Sequence, residues 1–558
     1  MTKTNTQKPI QLITLFNLIG FFMLWLFYDK SFDIVLYGVA VIAILWFAYF
    51  LLSGMSMDDQ YIFLIVAMLF SIGILMIFRC SKVSGQNQTM WLAVALMGFF
   101  TSYLIVMRAK WIHKIGYGFF VLAVCLSLFT MLFGKDVTGT GVKNWIVIGP
   151  FSIQTTEIVK YLVLFMLADR FQNPKRYRLF GLQEGIVMSV AVYVVLGIMV
   201  LQKELGTILV IFTTYIAMLY LFNEKRWIIL GNIGIIAVGA AMLYLLKDSL
   251  FESVYNTFMR RVEIWRDLWD LNPHEIDGVG ELMQSMFAVG SGGFFGTGIG
   301  LGSPTSISTI GAEKSDYIFA SICEEMGIMI GVAVVLLFFL LMYRGLRLSL
   351  NIKHKFYRTI GAGICIMFGF QTFIIIGGVT KLIPMTGITL PFISYGGSSL
   401  VVGFMAIGFL EGAANKTDET AKAMAKRKSA GYIQGSDLMG DERYSHSILR
   451  KTDDENAEYT GVEYQENTAT VWSEDDLLYR EDYEAQRSID GVFFHAGDLT
   501  DVGLEQKREP IVEMKSESGF FRMSDTDSKE TDSEMPVREE AEKSTKPSND
   551  FFTSGGDL

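Results

Sequence analysis

Apolar stretches close to the ~20 residues that a bilayer-crossing helix needs recur along the first 412 positions. They fall at about 10–28, 33–53, 61–78, 90–107, 115–134, 152–168, 181–201, 205–222, 227–246, 317–343, 359–379 and 390–412. The pattern predicts an all-α polytopic membrane domain over residues 1–412 with about twelve transmembrane helices. The segment at 152–168 is short and carries Glu157 and Lys160, so ten or eleven spans is an alternative count. From Ala413 the apolar runs give way to Ser, Thr, Asp and Glu, which predicts a disordered acidic tail over 413–558. The first apolar run has no small-residue cleavage site after it and reads as an anchor rather than a removed signal peptide.

Composition agrees with the pattern: 51% of the residues are hydrophobic and 13% aromatic, too apolar for a soluble chain of 558 residues. The formal net charge of −10 belongs to the tail, where 34 Asp and Glu face 18 Lys and Arg. In the membrane part, Lys and Arg concentrate in alternate short loops, around Arg108, Lys175–Arg178, Lys225–Arg226 and Arg344–Arg358. The positive-inside rule places those loops, both termini and the tail in the cytoplasm. By parity Asp316 and the glycine-rich segment before it face outward, where no ATP is available. Cys80, Cys125, Cys323 and Cys365 lack metal spacing and imply no disulfide framework, and the histidines are scattered. No metal site and no nucleic-acid partner is expected.

Candidate chemistry collects on the outward side. Gly290, Gly292, Gly293, Gly296, Gly298, Gly300 and Gly302 disfavour regular structure and suit a backbone that approaches a ligand closely. The segment is neither a phosphate-binding loop with Gly-Lys-Ser/Thr nor a dinucleotide fingerprint. Asp316 follows at the start of a long apolar run, where an acid is either an N-cap or a working group. Glu157 and Lys160 share one helical face inside an apolar segment, as a neutralised structural pair or as a cation for an anionic headgroup. Glu204, in the turn LQKELGT, reads as a solvated turn acid or as a charge at the N-terminus of the next helix. Arg260, Arg261 and Arg266 alternate with Trp265 and Trp269 in a segment suited to lying in the membrane interface or gripping lipid phosphates. Pro384, Gly387 and Pro391, then Gly396, Gly397, Ser398 and Ser399, mark a second unwound region. Irregular backbone at membrane depth is tolerated only around protein or a wet cavity, so the two regions point to one shared cavity.

The segments GSGGFFGTGIG, SDYIFASICEEMG and PMTGITLPFISYGGSS resemble the signatures of the SEDS (shape, elongation, division and sporulation) family of RodA- and FtsW-like proteins. GVKNWIVIGPFSIQTTEIVKY and LQKELGT resemble further segments of that family. The resemblance runs from about residue 135 to 412, within a ten-helix core from about residue 90, and leaves two additional N-terminal spans. It departs from the family at Lys143-Asn144, where an arginine usually precedes the Trp, at Thr155-Thr156, at Glu204 in place of an Asp, at Ile310-Gly311 and at Lys381.

The resemblance implies a peptidoglycan glycosyltransferase that polymerises lipid II at the outer face of a bacterial cytoplasmic membrane during elongation or division. Its implied partners are a class B penicillin-binding protein transpeptidase and the elongation or division complex. It also implies Asp316 as the essential aspartate and Glu157 with Lys160 as the family's Glu–Lys pair. Polymerisation needs a base at a sugar hydroxyl and cations at a leaving pyrophosphate. Asp316 fits the base, and Lys160, Lys143 and Arg261 fit the cations, with Ser398 a further substrate contact. A divalent cation such as Mg or Mn is compatible with the family, although the sequence has no dedicated ligand cluster. Two other classes remain open: a flippase for lipid II or another lipid-linked precursor, and a non-catalytic cell-wall scaffold.

Overall fold

The computed structural model describes residues 7–55, 59–109, 111–136, 144–149, 151–178, 182–222, 225–245, 252–271, 278–302 and 313–416. The tail expected over 413–558 lies outside these beyond Lys416, as does Lys143. The helices are α1 (Gln7–Phe27), α2 (Phe32–Gly54), α3 (Gln60–Cys80), α4 (Lys82–Arg108), α5 (Tyr117–Phe133), α6 (Thr155–Gln172) and α7 (Glu184–Leu201). They continue with α8 (Leu205–Leu221), α9 (Arg226–Leu245), α10 (Glu252–Asp267), α11 (Val279–Gly292), α12 (Ile318–Leu350), α13 (Lys355–Val379) and α14 (Gly397–Lys416). A short antiparallel hairpin, β1 (Trp145–Ile148) and β2 (Phe151–Gln154), pairs Trp145 with Gln154 and leads directly into α6.

Eight of these helices are long and apolar enough to cross a membrane, and α5, α8 and most of α9 are shorter apolar helices. With α6, which stays helical despite its charges, they account for the apolar stretches of the sequence. The chain is a multi-pass membrane protein.

Local signals set the joints. Asp59 caps α3 by accepting from the Tyr61 amide at 3.0 Å, and Ser81 caps α4 by accepting from the Ser84 amide at 3.3 Å. Helix α3 is apolar all round and buried along nearly its whole length. The hairpin α1–α2 packs against it with Gly20 on Leu75, and its own two helices meet with Gly38 on Phe21. Asn17 is buried there and donates to Ser71 Oγ at 2.8 Å, so this polar group in the apolar layer has a cross-helix partner.

The glycine-rich segment behaves differently from the sequence expectation. Gly290 and Gly292 belong to α11, and the close approach is to the protein's own backbone. Helix α12 breaks at Gly327, with φ 83° and ψ 163°. The groups freed there are taken up by the glycine segment: Thr297 and Gly298 amides donate to the Glu324 and Glu325 carbonyls at 2.9 Å, and the Ile328 amide to Gly293 O at 3.0 Å. A Cβ at Gly292 or Gly296 would overlap the Cys323 or Glu325 carbonyl. The glycines therefore splint a broken membrane helix.

The last predicted segment is shortened in the same way. Residues 380–396 carry no helix, and α14 starts only at Gly397. Pro384, Gly387 and Pro391 keep this connection irregular beside the start of α12.

Candidate functional site

Asp316 sits in the turn Glu313–Tyr317 that leads into α12, and its side chain is half-buried. The N-cap of α12 is Tyr317, with no side-chain cap bond, so Asp316 is not serving as the cap. Burial pushes its carboxyl up to about 6, while a hydrogen bond with Ser315 and the charge of Arg261 pull the other way.

Arg261 reaches this point from α10. Its Nη1 donates to Thr386 O at 2.8 Å, and Trp265 Nε1, one turn on, donates to Lys381 O at 3.0 Å. The basic, Trp-bearing segment is thus docked on the 380–390 connection rather than only spread on an interface. Burial lowers the guanidinium's hold on its proton, opposed by Glu204 and Asp316, but at arginine's high starting value it stays charged. Both groups border Gly387. A Cβ added to it would lie 3.5 Å from Asp316 Oδ2 and 3.9 Å from Arg261 Nη2, and its φ of +69° is one that side chains rarely adopt.

Glu204 also belongs to this group: it stands at the N-terminus of α8, as one of its two readings has it, but buried rather than solvated. It is only 7% exposed, accepts from Thr207 Oγ1 at 3.2 Å and feels Gln154, Glu157 and Arg261. Burial pushes it up to about 7. The available signal was its place one residue before an apolar helix, in a turn resembling a family segment.

Glu157 and Lys160 are buried and paired at 3.0 Å, as the helical spacing predicts. Lys160 Nζ also donates to Gln371 Oε1 of α13 at 2.9 Å, and Gln371 Nε2 donates to Thr389 O at 2.8 Å. Thr389 Oγ1 shares a hydrogen bond with Ser399 Oγ at 2.9 Å. The pair therefore holds the irregular 380–396 connection through α13. That connection also grips the Asp316 turn, with the Tyr395 amide donating to Lys314 O at 2.8 Å.

Ser398 lies in the first turn of α14. Its Oγ accepts from the Gln154 amide at 3.3 Å, and it lines an apolar cavity of about 650 Å³ with Trp91, Ile153, Tyr161, Val402 and Phe409. Gln154 thus lies between the cavity and the Glu204–Arg261–Asp316 group. Among the described residues no three His, Cys, Asp or Glu side chains converge as metal ligands. The donors at Asp316 are one carboxylate beside a guanidinium, which does not fit a resident Mg or Mn ion.

Comparison with known proteins bears on this architecture. Residues 59–419 match the model of the FtsW, RodA and SpoVE cell cycle protein family. A Mycobacterium tuberculosis protein named peptidoglycan glycosyltransferase RodA is 29% identical over 73% of this chain and 89% of its own length. Stage V sporulation protein E of Bacillus subtilis is 31% identical over 63% of this chain and 95% of its own. A chain solved in a study titled "Structural coordination of polymerization and crosslinking by a peptidoglycan synthase complex" covers 64% of this chain and 98% of that one. It shares the fold with a TM-score of 0.53 at 21% identity. The chain, with α1 and α2 preceding the matched region, belongs to the FtsW/RodA/SpoVE family, the SEDS proteins.

Proposed function

We propose that the protein is a peptidoglycan glycosyltransferase that polymerises lipid II into glycan strands at the outer face of the cytoplasmic membrane, with Asp316 as general base. The carrying observation is the half-buried Asp316 carboxylate, raised to about 6 and set with the Arg261 guanidinium beside Gly387. A carboxyl at that value is mostly ionised at neutral pH yet holds a proton better than an ordinary aspartate, which suits a base. The names of the relatives support the reaction class, and the apolar cavity beside Ser398 suits a lipid-linked substrate. The loop charges support an outward Asp316.

The acceptor sugar hydroxyl gives its proton to Asp316 as its oxygen attacks the anomeric carbon of the donor. The bond from that carbon to the pyrophosphate breaks, and undecaprenyl pyrophosphate leaves with the electron pair. One displacement inverts the anomeric centre, so a second nucleophilic carboxylate is not needed. Arg261 is the cation at the developing pyrophosphate charge. Lys160, held by Glu157 and Gln371, acts by fixing the 380–396 connection beside it. The relative solved in a complex that polymerises and crosslinks supports a class B penicillin-binding protein as partner.

The test is the full-length protein, purified with its transpeptidase and given labelled lipid II. Strands made by the wild type and reduced about 100-fold or more by Asp316→Asn support the enzyme. Movement of lipid II across vesicles without polymer supports a flippase instead, and strand growth unchanged in Asp316→Asn removes the assigned base.

A further inference from the structure

Next to Asp316, but unused by the reaction above, is a buried cluster of one cation and two acids. Arg79, in the last turn of α3, is 6% exposed. Its Nη1 bonds Glu313 Oε1 at 3.0 Å, and its Nε pairs with Glu325 Oε1. Glu313 opens the turn that carries Asp316 three residues later, and Ser321 Oγ of α12 donates to the same Oε1 at 3.0 Å. Glu325 lies two residues before the Gly327 break and accepts from the Gly300 amide at 2.7 Å. Gly300 packs under Tyr28 at the end of α1, where an added Cβ would lie 3.1 Å from Tyr28 Cβ. Lys82 ties the same α1–α2 connection down, at 2.7 Å from Asp33 and 3.0 Å from Ser31 Oγ. Lys314, next to Glu313, donates to Ser84 Oγ of α4 at 3.0 Å and lies over the Tyr395 ring.

We infer that Arg79 is a positioning residue for Asp316: its guanidinium joins the turn that carries the base to the break in α12 and so fixes where the carboxylate stands. This rests on the reading of Asp316 as the base. The physical reason is geometric. A guanidinium presents donors in a rigid fork, so it can hold two carboxylates on different segments at once. Without it, two acids would face each other in an apolar layer, and the turn would move to separate them. The α1–α2 hairpin, outside the family-matched region, presses on this fork through Tyr28 and Gly300.

The test compares Arg79→Lys, Arg79→Met and the triple variant Arg79→Met/Glu313→Gln/Glu325→Gln in full-length protein with its transpeptidase, using labelled lipid II. Arg79→Lys keeps the charge but not the fork, and is expected to lower kcat about tenfold at nearly unchanged KM and thermal midpoint. The triple variant removes the uncompensated acids, so its thermal midpoint is expected to return close to wild type while kcat stays at least tenfold low. Wild-type kcat in either Arg79→Lys or the triple variant overturns the assignment and leaves the cluster a purely structural one. Asp316→Asn, run alongside, separates the two claims. If it is inactive while the triple variant is active, only the role of Arg79 falls; if it polymerises normally, the base assignment fails and the positioning role with it.

Discussion

Asp316 and Arg261 both border the bare side of Gly387, where an added Cβ would lie 3.5 Å from Asp316 Oδ2 and 3.9 Å from Arg261 Nη2. The carboxylate arrives on the turn before α12 and the guanidinium on α10, with Gly387 in the irregular stretch after α13. Three segments far apart in sequence thus meet where a single methyl group would touch both charged groups.

The pH dependence follows from that arrangement. A base must be unprotonated, so strand synthesis should be flat above about pH 6 and fall about tenfold per unit below it. Arg261 favours the ionised carboxylate, and Arg261→Gln should shift the acid limb to higher pH as well as lower the plateau. Glu204→Gln should leave the acid limb near 6 in place, because burial, Ser315 and Arg261 set the Asp316 carboxyl. Initial rates from pH 5 to 8 decide, and an acid limb unmoved in Arg261→Gln would argue against the pairing.

Gly387→Ala should harm activity more than folding. The positive φ costs a non-glycine residue about 1–2 kcal/mol. The new methyl also comes into contact with both Asp316 Oδ2 and Arg261 Nη2. A fall in kcat of about tenfold or more, with the thermal midpoint lowered by only a few degrees, is the expected pair of readings.

Lys160→Met should be mainly a folding defect. It leaves Glu157 buried without its cation and Gln371 Oε1 without its donor, a loss of about 3–5 kcal/mol. Adding Glu157→Gln removes the stranded charge and should recover part of the thermal midpoint measured in detergent. If Lys160→Met is as stable as wild type yet inactive, Lys160 contacts substrate directly.

Gly296→Ala tests the splint. Its φ is +82°, and a Cβ would overlap the Glu325 carbonyl that the break in α12 exposes. Destabilisation of about 2 kcal/mol or more is expected, with faster amide exchange at Thr297 and Gly298. Gly290→Ala is the control, since a Cβ there meets open space within a helix.

The sequence by itself determined the class of protein and most of its spans. A run of ~20 apolar residues in a bilayer has few alternatives to a helix, because every backbone polar group must be satisfied within it. It also determined the Glu157–Lys160 pair, since a three-residue spacing acts within one helix. What covers each helix was decided only by the tertiary structure. Helices α3 and α9 both read as continuous apolar runs, yet α3 is buried almost throughout and α9 is exposed almost throughout. Lipid and protein interior are alike apolar, so hydrophobic pattern does not say which one a face meets. The same limit hid Glu204, Gln371 and Arg79, whose surroundings include segments distant in the chain, and misassigned the glycines, whose close neighbour is the broken backbone of α12. Charges read along a chain carry no distances; packing supplied them.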